Sequence, residues 1–206
     1  MPIKRYIDIY RKFEKRTNGL VSEFEDKVSM LNDYGEDFEK IHNNARFFIL
    51  IRLQMLWGQF CRELIIRSAF GGYHTISGTV LQKGASVTDW RSVQTVIRSR
   101  SRNGHPPWHM ANFSIDIARN LRIDNYGQVS MALGGISPID HVINIRNYVV
   151  HPDERSRIRY ENTLRSIGIM VKTDPISLLR SRVVGGASLL EQWVSDLQTL
   201  AVNAMQ

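Results

Sequence analysis

The chain has 206 residues, 43% hydrophobic and 23% charged, with 27 Lys and Arg against 20 Asp and Glu and a formal charge of +7. These values exclude wholesale disorder and suit one globular domain over residues 1–206. A single cysteine, Cys61, excludes a disulfide scaffold and multi-cysteine zinc sites, and fits a reducing cytoplasm.

Positive charge is concentrated late in the chain. Residues 1–45 carry a net −1, whereas residues 46–206 carry a net +8, and 20 of the 27 basic residues are Arg. Arg presents a planar fork of donors that matches phosphate, so an anionic partner is expected to meet the later part.

Tyr6, Ile9, Tyr10 and Phe13 recur at helical spacing, as do Leu20, Phe24, Val28 and Leu31, giving N-terminal helices within residues 1–45. Asn32-Asp33-Tyr34-Gly35 reads as a break. A helix over about 36–69 follows, apolar nearly all round between Phe47 and Trp57, which suits a central helix or an oligomer interface. Arg52 and Gln54 interrupt this run, making it too short and too charged to span a membrane. Met1 to Arg16 lacks the long apolar stretch of a signal peptide. A soluble cytoplasmic protein with no membrane partner is expected.

Four glycines make residues 70–86 a loop with room for a short hairpin, and Thr88 is a candidate cap for a helix carrying Trp90, Val93 and Ile97. That helix runs into Arg98, Arg100 and Arg102, then into the breaker Asn103 to Pro107. Phe113, Ile117 and Leu121 mark another short helix. Ser137-Pro138-Ile139-Asp140 combines a capping hydroxyl, a proline at the first helical position and an early acid. The helix it starts should run to about Val150, because a residue before a proline avoids helical angles and Pro152 follows. Two further helices are expected, over about 154–167 and on the stripe Leu190, Trp193, Leu197, Leu200 and Ala201. The fold class is all-α.

Glycine-rich phosphate loops are absent from the sequence. His105 and His109 have metal-like spacing, but Pro106-Pro107 prevents a shared helical face and no metal site or cofactor is expected. The segment Arg146-Asn147-Tyr148-Val149-Val150-His151 remains. Arg and His five positions apart are expected about 0.6 times by chance in this composition. The spacing occurs twice, also at Arg100 and His105, but only Arg146 and His151 share a well-started helix. Five helical steps place them about 140° apart around the axis. From position alone the pair equally suits a functional cleft, or an Arg paired to a carboxylate beside a His that caps the helix.

With Arg146, the polar Asn147 and His151, followed by Pro152, the chain resembles the HEPN superfamily, small helical bundles whose signature is Arg, a polar residue and a later His. The resemblance covers the helical layout, the chain size and the place of the motif on a late helix; its sharp part is six or seven residues. It implies a HEPN-like bundle with inserted loops and a metal-independent endoribonuclease, in which two copies of the motif face each other in a homodimer. RNA brings its own nucleophile, the 2′-OH. His151 would exchange protons, Arg146 would hold non-bridging phosphate oxygens, and Asn147 would orient the phosphate or the partner His. Products would be 2′,3′-cyclic phosphate and 5′-OH ends. Arg155, Arg157 and Arg159 just after the motif, and Arg98, Arg100 and Arg102, are candidates for gripping the RNA backbone; a solvated basic face is the alternative. The family implies a bacterial toxin or phage-defence effector restrained by an antitoxin or sensor. One group carries Tyr two residues after the motif His; here that residue is Asp153, so modification by that route is not implied. A non-catalytic module binding RNA or protein, and a purely structural adaptor, are the other readings.

Overall fold

The computed structural model describes residues 5–34, 36–101, 105–135, 138–170, 173–182 and 186–206, with the side chains of 30–46 and Ile176 left aside. Among them the chain is all-α: α1 (Ile7–Tyr34), α2 (Glu36–Phe70), α3 (Trp90–Arg100), α4 (Ala111–Leu121), α5 (Tyr126–Gly134), α6 (Pro138–Val150), α7 (Glu154–Ser166), α8 (Pro175–Arg180) and α9 (Leu189–Asn203). The chain forms two compact units, one from 1–15, 55–136 and 197–206, the other from 16–54 and 137–196. The boundary of charge at residue 45 therefore falls inside α2.

The two apolar runs near the N-terminus form one helix. Tyr6 lies just before α1, and Ile9, Phe13, Thr17, Leu20 and Phe24 follow it as buried positions three or four residues apart, a single uninterrupted stripe. Gly19 lies away from that stripe, and a Cβ there would meet nothing within 4 Å, so the helix tolerates it at a cost of about 1 kcal/mol. The Leu31 side chain lies outside the described residues. In α2, Ile49, Leu50, Leu53, Trp57, Phe60 and Leu64 are buried, but Phe48 and Met55 are exposed. The run that reads as apolar all round thus buries one side only.

In the first unit, Phe13, Trp57 and Phe60 form an aromatic cluster with ring centroids 5.0–5.9 Å apart. Tyr6 is buried, shares a hydrogen bond with Ser68, and stacks on Tyr73 at 5.7 Å. Burial pushes its phenol far above the ordinary range. The expected hairpin is present in miniature. Gly72 N donates to Leu81 O at 2.8 Å, Leu81 N to Tyr73 O at 2.9 Å, and Thr75 N to Thr79 O at 2.9 Å. Gly71 makes this turn possible: its φ is +65°, and a Cβ there would stand 2.5 Å from Lys83 N.

Asp89, not Thr88, caps α3. Its carboxylate accepts from Ser92 N at 2.8 Å and the Ser92 hydroxyl accepts in return from Asp89 N at 3.3 Å, a reciprocal capping box built one residue later than the sequence suggests. Helix α5 goes beyond the sequence expectation. Its Asn125 N-cap makes no side-chain cap bond, and its buried Val129, Ala132 and Leu133 span too few residues to register as a period. The short α8 was likewise not signalled.

In the second unit, Leu20, Phe24, Leu50 and Leu53 are buried together with Ile139, Val142 and Ile145 of α6, Leu164 of α7, Leu178 and Leu179 of α8, and Trp193 of α9. Helix α6 begins at Pro138 and ends at Val150, as its signals predict; Ser137 lies outside the described residues. No helix among the described residues is long and apolar enough to cross a membrane.

Candidate functional site

Helices α6 and α7 form a helix–turn–helix, and the turn is built from the motif itself. His151 N donates to Asn147 O at 2.8 Å, closing the last turn of α6, and Pro152 then prevents continuation. Asp153 caps α7, accepting from Ser156 N at 2.7 Å. The Ser156 hydroxyl turns back to the carbonyl oxygens of His151 and of Asp153, the latter at 2.9 Å. Hydrogen bonds from Ser156, with a smaller contribution from nearby His151, hold the Asp153 carboxyl below its ordinary range. The backbone of His151 is therefore anchored on both sides while its side chain stands in solvent.

Arg146 and Asn147 are half-buried, and Arg146 Nη1 donates to Asn147 Oδ1 at 2.9 Å. The buried Arg146 Nε meets no acceptor among the described residues. Among those residues no ion pair holds Arg146, and no hydrogen bond links Arg146 or Asn147 to the His151 ring. The carboxylate-paired alternative for Arg146 thus finds no support there. Val149 and Val150, between these residues, are exposed at 36% and 39%, and Ile158 on α7 at 46%.

The arginines divide by environment. Arg155 and Arg159, four residues apart on α7, are exposed and have no ion pair among the described residues. Arg157 lies on a different face and is bound to Glu154 at 2.6 Å and Glu161 at 2.5 Å, which raises its already high pKa further. Arg98 is exposed, while Arg100 is tied to α4 through Asp116 at 3.3 Å and Asn120 at 3.2 Å. Arg102 lies outside the described residues. The second Arg cluster shares a compact unit with the motif; Arg98 and Arg100 belong to the other unit.

A cavity of about 560 Å³ opens where the end of α6, one face of α7, Ile169, Met170 and Thr173 to Pro175 meet. Arg146, Asn147 and His151 are not among its lining residues, but Tyr148 is. The Tyr148 ring stacks on Tyr160 at 4.8 Å and 8°. Tyr160 is buried and its hydroxyl donates to Thr173 O at 2.5 Å; burial pushes that phenol well above the ordinary range. Sequence reading missed this cavity. Its signal was the α7 set Arg157, Tyr160, Glu161, Leu164 and Arg165, one helical face mixing charge and aromatic surface.

No group of three or more His, Cys, Asp or Glu side chains able to hold a metal ion occurs among the described residues. Comparisons with protein-family models, curated proteins and solved structures found no match.

Proposed function

We propose that the chain is a metal-independent endoribonuclease of the HEPN type, acting as a homodimer. The observation that carries this reading is the arrangement at the end of α6. There a half-buried guanidinium, whose Nε meets no acceptor among the described residues, is joined to an amide, and an imidazole is exposed at the fixed helix end. A guanidinium with no carboxylate partner among the described residues is suited to stabilise a phosphorane, and an accessible imidazole to move the 2′-OH proton. Exposed Val149, Val150 and Ile158 beside the motif supply apolar surface for a second copy, which would bring two motifs to one cleft.

In this mechanism His151 takes the proton from the 2′-OH as that oxygen attacks the adjacent phosphorus. Arg146 carries the charge on the non-bridging oxygens, with Asn147 fixing the guanidinium plane. A proton delivered to the 5′-oxygen releases the second fragment, leaving a 2′,3′-cyclic phosphate. A toxin or phage-defence role held in check by an antitoxin or sensor belongs to the same proposal, as does a cytoplasmic location.

The test is incubation of the pure chain with total RNA in EDTA. Cleavage with cyclic-phosphate ends is expected, and His151→Ala should lower its rate by about 10² to 10⁴. Undiminished cleavage by His151→Ala would overturn the assignment, and RNA binding without any cleavage would identify a non-catalytic module.

A further inference from the structure

On α7, Arg157, Glu161 and Arg165 stand at successive four-residue steps, so all three share the rim of the 560 Å³ cavity. Glu161 has Arg neighbours at both ends and turns to Arg157, giving it Oε1 at 2.5 Å. Arg165 is left with an amide contact to Asn162 at 3.3 Å and no carboxylate among the described residues. Arg165 and Glu161, one helical turn apart, thus bring a donor and an acceptor to the lining of the same cavity. Below them the cavity has an aromatic and aliphatic wall from Tyr148, Tyr160 and Leu164. Tyr148 is half-exposed, and its ring lies parallel to that of the buried Tyr160.

This combination has a specific complement. A flat heteroaromatic ring can extend the tyrosine stack, as bases do in single-stranded RNA recognition. Arg pairs in bidentate fashion with the O6 and N7 acceptors of guanine, and a carboxylate accepts from guanine N1–H and the N2 amino group. These two guanine edges adjoin, as Arg165 and Glu161 do. Adenine offers a donor where guanine O6 accepts, and pyrimidines stack over less area. The volume lies within the range of small-ligand sites. We infer that this cavity is a guanine-base site, with Tyr148 as the stacking platform and Arg165 and Glu161 as the reading pair.

Tyr148 precedes His151 by three residues, and His151 still closes the helical turn, so the two share a side of α6. The bound base would therefore belong to the RNA strand presented to His151, and would favour cleavage beside guanosine. That last step rests on the ribonuclease reading; the base site does not.

Calorimetric titration of the full chain with GMP, AMP, CMP and UMP tests the site. GMP should bind about tenfold or more tightly than the others, and guanosine should keep that preference. Arg165→Gln, a change on an exposed rim, should abolish the discrimination. Tyr148→Ala should weaken every nucleotide while Tyr148→Phe retains binding. Equal affinity for all four nucleotides, GMP binding indifferent to Arg165→Gln, or full competition by inorganic phosphate would overturn the proposal. Selective, Arg165-dependent GMP binding by a chain that cleaves no RNA would uphold the site while rejecting the ribonuclease. Cleavage that shows no preference for guanosine, with no GMP binding, would do the reverse.

Discussion

His141 on α6 and His151 just past its end stand ten residues apart and meet opposite surroundings. His151 is exposed at the helix end, whereas the His141 ring is part-buried, 6.0 Å from Trp193, with Nε2 and the Ser166 hydroxyl 3.3 Å apart and Nδ1 without a partner among the described residues. Burial lowers the His141 pKa below its ordinary 6.5, and nearby Asp140 opposes this only in part. The unfolded chain therefore binds a proton at higher pH than the folded one. Between those two values the unfolded state holds more protons, so folding stability should fall as pH drops below about 6.5 and level off once the folded His141 is also protonated. Denaturant titrations from pH 7.5 to 5 should show this slope in the native chain and a flatter one in His141→Phe. Equal slopes would assign the acid sensitivity to other groups.

The division of labour along α7 follows from helical spacing. Arg157 reaches Glu154 three residues before it and Glu161 four residues after it, whereas Arg155 and Arg159 have no ion pair among the described residues. The bonds of Arg157 are surface ion pairs of small net worth, but a phosphate must still displace two carboxylates to reach it. Replacing Arg155 and Arg159 by Gln should therefore weaken RNA binding and reduce the slope of log affinity against log salt by about one for each phosphate no longer gripped. Arg157→Gln should change that slope less. Filter binding across a salt series measures both, and equal effects from all three positions would favour a diffuse basic face. The turn that presents these residues depends on Asp153 and Ser156, whose bonds to the α7 N-terminus and to the His151 carbonyl fix where α6 stops and α7 starts.

At the scale of the whole molecule, the proposed dimer makes the exposed apolar residues around the motif the decisive surface. Scattered surface hydrophobics are ordinary, but Val149, Val150 and Ile158 lie on the two helices that build the turn. Ile158→Asp should give a folded chain of half the native mass by light scattering and lose RNA cleavage with it, although His151 is untouched. A monomeric wild-type chain that still cleaves RNA would remove the composite cleft from the mechanism. The two compact units each have their own buried residues, and α1, α2 and α9 contribute to both.

Periodicity and punctuation in the sequence determined the helical class, the limits of α6 at Pro138 and Val150, and the hairpin between α2 and α3. These are local matters, set by residue spacing, proline geometry and glycine freedom. The same local reading split α1 in two, placed the α3 cap on Thr88 and passed over α5 and α8. A continuous buried stripe, a reciprocal bond to Ser92 and a few buried residues in a short segment become visible only once the chain has folded. Composition likewise tells how many arginines there are, whereas folding decides which ones are spoken for. Arg157 and Arg100 are held by acids, Arg155, Arg159 and Arg98 are exposed, and Arg165 is turned to a cavity. Length, composition and the +7 charge come from side chains counted one by one; the proposed site comes from which of those side chains the packing of α6 against α7 leaves without a partner among the described residues.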